Sequence, residues 1–267
     1  MSSVPARHRA AVVTRLREAG CVFAEQEADL LIAAAATRAD LTAMVDRRAG
    51  GSPLEHVLGR VRFCGLVLAV TPGVFVPRPR TGLLVREAAA LVGGRGATVV
   101  DLCCGSGAVG AAVAAAAPAP VHLHAADVDP VAVACAGRNL ARYGGHVHQG
   151  DLFDPLPLRL RGRINVLVAN VPYVPTGEID LLPAEARRHE PRPALDGGAD
   201  GLDLLRRLAA EAPHWLSPGG HLLVETSERQ APAATSIMER AGLRGRVVRD
   251  DDLDATVVIG RARGRRR

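Results

Sequence analysis

The stretch Ala97-Thr-Val-Val-Asp-Leu-Cys-Cys-Gly-Ser-Gly-Ala-Val-Gly110 decides the fold. Its apolar start, Ala97–Leu102, reads as a strand buried on both faces, three glycines follow at 105, 107 and 110, and Val109–Ala117 reads as a helix. Strand, glycine turn and helix in that order place backbone N–H groups at a helix N-terminus, where a ligand can come close to the main chain. The alternation repeats outward from this stretch. Strands are expected at Val121–Ala126, His146–His148, Ile164–Ala169 and His221–Glu225, and helices at Pro130–Tyr143, Leu202–Ala212 and Gln230–Ala241. Such a pattern implies an α/β fold, a parallel sheet with helices on both faces. Only Asp250–Asp254 separates the β-rich runs Gly245–Arg249 and Ala255–Gly260, too little for a crossover helix, so this last pair is expected to be antiparallel.

On the N-terminal side the pattern is helical. Ala24, Ala28, Leu31, Ile32 and Ala35 form one apolar stripe. Asp40 is expected to cap a helix running through Met44 and Val45, and Ser52-Pro-Leu-Glu55 has the capping-box pattern with proline at the first helical position. Residues 60 to 76 alternate like a hairpin around Gly65, and Pro72, Pro77 and Pro79 stiffen the segment that follows, where a domain boundary is expected.

Composition narrows the class further. With 48% hydrophobic and 23% charged residues, the 267-residue chain is too apolar for intrinsic disorder. All 33 basic residues are arginine, and the net charge of +5 equals the number of arginines after residue 260, so the body is near neutral. The arginine-rich end, Gly260–Arg267, suits phosphate contacts with RNA or ribosomes, but short ends of this kind are more often solvated and disordered, and it is read as a solvated tail. No window is apolar enough to span a bilayer, Met1–Arg17 has no signal-peptide core, and the five cysteines lack paired C-x-x-C spacing. A cytoplasmic location without membrane contact, a disulfide framework or a metal site is expected.

Gly105, Gly107 and Gly110 also match the literal dinucleotide fingerprint, with Asp127 twenty residues beyond Gly107, so a nicotinamide-dependent oxidoreductase is one reading. Asp101 argues against it: an acid at the strand end repels a pyrophosphate but suits the ammonium of S-adenosylmethionine. On that second reading Asp127 accepts from the ribose hydroxyls, Asp151 from the adenine amine, and Leu152 or Phe153 lies on the ring. Cys103, Gly105, Gly107, Val128 and Asn170 complete this expected cofactor site, all at the carboxyl edge of the sheet.

After the fourth strand comes Asn170-Val-Pro-Tyr173. These residues suit methylation of a planar amide or aromatic amine, whose delocalised lone pair is a poor nucleophile. The Asn170 side-chain oxygen and the Val171 carbonyl can both accept from the NH₂ group, aim its lone pair and stabilise developing positive charge. Pro172 keeps Val171 extended, and Tyr173 packs on the planar group and offers its ring face to the cationic methyl.

Here the chain resembles the HemK/PrmC-type glutamine N5-methyltransferases, whose signature in this place is Asn-Pro-Pro-Tyr. The resemblance extends to Gly51-Ser-Pro-Leu54, Phe63-Cys-Gly65, Val76-Pro-Arg-Pro79, Asp151-Leu-Phe153, Glu190-Pro-Arg-Pro-Ala-Leu-Asp-Gly-Gly198, Asp200-Gly-Leu202 and Glu225. It implies a class I methyltransferase fold, a seven-stranded mostly parallel sheet whose last strand is antiparallel. It further implies a helical substrate-recognition domain at 1–58, a hairpin and linker at 59–79, a methyltransferase domain at 80–262 and a basic tail at 263–267. The implied reaction is transfer of methyl from S-adenosylmethionine to a glutamine of a protein, in this family the Gly-Gly-Gln motif of a peptide-chain release factor, by a monomeric enzyme. Amino-methylation of adenine in DNA or RNA is the rival, since the same four residues serve it; a binding protein that has lost catalysis is another. Val171 stands for the family's first proline, Arg80 and Gly82 for two acids, Cys103 for the first glycine of the loop, and Asp252-Leu-Asp-Ala255 for a Gly-Arg-Asp-Arg. These departures are read as a changed substrate surface with the cofactor site retained.

Overall fold

The computed structural model describes residues 6–264; residues 1–5 and the tail arginines 265–267 lie outside the described residues. Four helices open the chain, α1 (Ala6–Glu18), α2 (Ala24–Ala34), α3 (Arg38–Ala49) and α4 (Leu54–Leu58), around a small core that includes Leu16, Ala28, Leu31, Val45 and Val57. The cap of α3 is Thr37, not Asp40: Thr37 Oγ1 accepts from the Asp40 N–H at 3.1 Å while the Asp40 carboxylate accepts from the Thr37 N–H at 3.0 Å. The acid sits one turn too late to cap and instead closes a reciprocal box. The expected box at Ser52 does not form, because Pro53 occupies the cap position of α4 with no side-chain bond, and the Ser52 carbonyl accepts from Arg48.

A hairpin follows, β1 (Arg60–Phe63) paired antiparallel with β2 (Leu66–Ala69). Its two-residue turn places Cys64 at φ +47° and Gly65 at φ +78°. Two consecutive left-handed residues match the twist of a tight hairpin.

The remaining strands, β3 (Ala97–Leu102), β4 (Val121–Asp127), β5 (His146–Gln149), β6 (Ile164–Ala169), β7 (Leu216–Thr226), β8 (Arg244–Asp250) and β9 (Ala255–Arg261), form one sheet in the order β5-β4-β3-β6-β7-β9-β8. All neighbours are parallel except β9, the last strand, which runs antiparallel to both β7 and β8. Helices α5 (Gly82–Ala90), α6 (Ala108–Ala116) and α7 (Pro130–Leu140) bury apolar side chains on one face, and α9 (Asp203–Trp215) and α10 (Ala231–Arg240) on the other. A short α8 (Ala184–His189) lies between β6 and α9 in the chain. Chain order reverses direction between β3 and β6, and open sheets of this kind bind ligands outside the carboxyl ends at that point. No helix of the described residues is long and apolar enough to cross a membrane.

Candidate active site

A cleft of about 1220 Å³ opens at that switch point. Asp101, Cys103, Gly105, Asp127, Val128, Asp151, Leu152 and Asn170–Tyr173 all line it. Gly107 does not; it holds the turn from beneath. At φ +74° its missing Cβ would lie 3.1 Å from both Ala136 Cβ and Leu140 Cγ, so α7 passes where a side chain would be.

Gly105, at φ +52°, has nothing within 4 Å of where a Cβ would project, leaving an open cradle above the loop. Cys103 also takes a left-handed conformation, φ +55°, which accounts for glycine as the family residue at this position. Burial raises its thiol pKa, so it is a neutral lining group.

Asp101 ends β3, is 1% exposed, and accepts from the Gly110 N–H at 2.8 Å. Gly110 permits this approach, since a Cβ there would sit 3.1 Å from the same carboxylate oxygen. Burial pushes the Asp101 carboxyl up to about 7, the nearby charge of Asp127 adding to the rise and the Gly110 bond opposing it. Asp127 ends β4, and its two oxygens accept from the N–H groups of Gly105, at 2.8 Å, and Asp129, at 3.0 Å. The acid thereby fixes the glycine loop while still facing the cleft. Its pKa is also raised, chiefly by burial.

Asp151 stands at the rim, paired with Arg207 at 2.6 Å. Leu152 lies against the cleft at φ +46°, but Phe153 does not. The expectation that Phe153 could cover a bound ring is overturned: it is 1% exposed and stacks on Trp215 with ring centroids 5.4 Å apart, inside the core under α9.

Asn170–Tyr173 leave the end of β6 beside the glycine loop, Ala169 being in register with Leu102. Val171 and Pro172 are buried, which anchors the segment. The 195–201 segment straps it from outside: Gly197 N–H donates to the Val174 carbonyl at 2.8 Å, and Val174 N–H to the Leu195 carbonyl at 3.1 Å. Glycine is required in that strap because a Cβ at Gly201 would fall 2.2 Å from the Tyr173 carbonyl and one at Gly197 2.7 Å from that of Pro172. Gln230 Nε2 donates to the Tyr173 carbonyl at 2.9 Å. Among the described residues nothing donates to the Asn170 side-chain oxygen or the Val171 carbonyl, so both acceptors remain free.

Two ion pairs that the sequence reading did not assign hold the opposite wall. The Tyr173 hydroxyl donates to Glu225 Oε1 at 3.2 Å, and Arg80 Nε donates to the same oxygen at 3.3 Å with its guanidinium 5.9 Å from the Tyr173 ring centroid. Burial, then the Glu225 charge, raises the tyrosine pKa, so the phenol stays neutral. Arg78 donates to buried Glu190 at 2.5 Å. Arg48, on α3, bridges Glu27 at 2.6 Å and Glu185, on the cleft wall, at 2.9 Å, which ties the helical segment to the site. The motifs carrying Arg78, Glu190 and Glu225 are visible in the sequence; their pairing needs the fold.

The strand order, antiparallel last strand and carboxyl-edge cleft define a class I methyltransferase. Residues 69–185 match the methyltransferase small domain family. Solved structures of the same fold include a methyltransferase from Pyrococcus furiosus, with TM-score 0.56 and 17% identity, covering 74% of this chain and 90% of that one. Another is a T. thermophilus 16S rRNA N2 G1207 methyltransferase in complex with AdoMet and guanosine, with TM-score 0.55 and 21% identity, covering 76% and 50%. Among sequences, a release factor glutamine methyltransferase of Geobacter sulfurreducens is 41% identical over 201 residues, 74% of this chain and 69% of that protein. One of Streptomyces coelicolor is 40% identical over 190 residues, 70% and 67%. The chain belongs to the release factor glutamine methyltransferase family.

Proposed function

We propose that this protein transfers a methyl group from S-adenosylmethionine to the side-chain amide nitrogen of a glutamine in a peptide-chain release factor, within its Gly-Gly-Gln motif. The observation that carries this reading is the pair of free acceptors, Asn170 Oδ1 and the Val171 carbonyl, in the same cleft as the glycine loop. Family membership supports the glutamine over adenine, and the buried acid at Asp101 argues against a dinucleotide.

The residues fit the cofactor. Gly105 leaves the loop open, Asp101 offers a carboxylate to an ammonium, Asp127 faces the cleft where a ribose diol would lie, and Leu152 and Val128 supply apolar surface for a base. Gly107 and Cys103 shape the loop, and Asp151 reaches the rim, where the Arg207 pair competes for its charge. S-adenosylmethionine, bound there, would supply a methyl group on a positively charged sulfur; as the amide nitrogen takes the methyl, the sulfur would leave as a neutral thioether and the nitrogen would release one proton to solvent. The protein's part is preorganisation. Asn170 and the Val171 carbonyl accept the two amide hydrogens, hold the amide plane fixed, and stabilise the charge that grows on nitrogen. Pro172 keeps Val171 extended, and Tyr173, fixed by Glu225, forms a wall against the amide. Val171 in place of proline leaves the accepting carbonyl where it is, since the 195–201 strap holds the segment.

We assign residues 1–58 to substrate recognition, 59–79 to the hairpin and linker and 80–262 to methyl transfer; the Arg48–Glu185 contact at the cleft wall supports the first assignment. A cytoplasmic setting belongs to the same reading. The test is methylation of an unmethylated release factor by wild type and Asn170→Ala, with cofactor affinity measured alongside. Loss of turnover with affinity retained is expected; equal turnover would remove the acceptor role.

A further inference from the structure

A second charged feature lies at the opposite edge of the sheet. Arg244 on β8 is in register with Arg261 on β9, which is in register with His221 on β7. Antiparallel partners directly opposite project to the same side, so three basic groups form one row across three strands, each strand step about 4.8 Å. His221 pairs with Val166 near the start of β6, which sets the row far from the cleft beyond Ala169.

Like charges opposite one another destabilise a sheet unless something compensates them. Arg246, in the next row, has a partner, Glu87, at 3.3 Å. Among the described residues Arg244, Arg261 and Arg263 make no ion pair. A groove of about 530 Å³ is lined by these three arginines and a single carboxylate, Glu239. Burial, with smaller contributions from the charges of Arg261 and Arg246, keeps His221 below its ordinary pKa, so the histidine stays neutral and the charge of the row is carried by its arginines. The sequence continues with Arg265, Arg266 and Arg267.

We propose that Arg244, Arg261 and Arg263, which line this groove, form a binding site for the phosphodiester backbone of nucleic acid, read through charge and without sequence. A line of guanidinium groups suits a polyanion with regularly spaced phosphates better than a single small anion, and arginine is the residue that grips phosphate bidentately. No aromatic side chain lines the groove, so base stacking plays no part. The site is separate from methyl transfer, whose acceptor on the proposed function is a protein.

The test is fluorescence anisotropy of the full chain with labelled 24-nucleotide RNA and DNA strands of mixed sequence, from 50 to 200 mM potassium chloride. Three neutralised phosphates give a slope of log affinity against log salt of about −2, roughly a 16-fold loss over that range, for both strands. Arg244→Gln/Arg261→Gln is expected to make the slope shallower by about 1.4, and Arg244→Lys/Arg261→Lys to restore it. Melting temperature and release-factor methylation serve as controls, because neither arginine touches the cleft. Absence of binding by wild type at 50 mM, or equal slopes in wild type and the glutamine variant, would overturn the proposal. So would binding to vesicles containing phosphatidylglycerol without binding to either strand.

Discussion

Replacing Asp101 by asparagine separates stability from binding, because the two should move in opposite directions. The carboxyl is fully enclosed and its pKa rises from an ordinary 3.8 to about 7, mainly through burial. An acid raised on folding leaves the folded state binding more protons than the unfolded state between these values, so stability falls as pH climbs from about 4 to 7. The rise corresponds to on the order of 4 kcal/mol at 1.36 kcal/mol per pH unit. Asparagine keeps an oxygen for the Gly110 N–H and carries no charge. Without cofactor, the variant should therefore be more stable than wild type at pH 8, by up to that amount less ~1 kcal/mol for an amide N–H without a partner. The advantage should vanish below about pH 3, where the wild-type carboxyl is protonated in both states. For S-adenosylmethionine the sign reverses: loss of a charge-assisted bond of about 1.5–3 kcal/mol weakens binding about 10- to 100-fold at pH 8. Urea unfolding across pH and titration calorimetry read the two effects. Equal affinity would end the ammonium assignment, and a variant less stable at pH 8 would show that the buried carboxylate is not a cost to the fold.

Asn170→Ala should lower kcat by 10²- to 10³-fold, the cost of one lost preorganised partner, with cofactor affinity within about twofold; single-turnover methylation measures it. Asp127→Ala removes the acceptor for the Gly105 and Asp129 N–H groups and should weaken S-adenosylmethionine at least tenfold by calorimetry, while Asp151→Ala, whose charge Arg207 already shares, should cost less. Gly201→Ala places a Cβ 2.2 Å from the Tyr173 carbonyl at a residue with φ +78°, so it should destabilise the fold by roughly 2 kcal/mol or more in thermal melting and depress kcat more than cofactor affinity. Arg80→Met leaves Glu225 buried with only the Tyr173 hydroxyl as partner; because Arg80 is itself partly exposed, a loss of about 1–2 kcal/mol in urea unfolding is expected, with a raised KM for the release factor.

The parallel sheet was legible because its central strands are mainly apolar runs bounded by a turn or helix signal, as at Ala97–Leu102 and Ile164–Ala169, where expected and observed boundaries coincide. Strand β7 was read only from His221, since Leu216-Ser-Pro-Gly-Gly220 carries turn residues, yet it continues the strand through an irregular register against Ile164. Cap assignments failed at Asp40 because Thr37, three residues earlier, takes the extended backbone of a cap, and at Ser52 because Pro53 occupies the cap position, and neither choice is fixed by residue type alone. The carboxyl-edge acids and Asn170–Tyr173 could be placed because each follows directly on a strand. Phe153 could not: its neighbour Leu152 takes a left-handed turn that sends the phenylalanine inward against Trp215, a contact 62 positions away in the chain. The Glu225–Tyr173–Arg80 and Arg78–Glu190 contacts join segments 52 to 145 residues apart, and no local pattern reveals such pairs.

On the proposed function, Asn170 and the Val171 carbonyl present a protein glutamine for methylation. The most direct measurement is transfer of a labelled methyl group from S-adenosylmethionine into unmethylated release factor and, in parallel, into nucleic acid from the same cells, with peptide mass mapping of the label. Label on the glutamine of the Gly-Gly-Gln motif, absent with Asn170→Ala, is the predicted result. Label on adenine, or transfer to the same glutamine undiminished by Asn170→Ala, would contradict it.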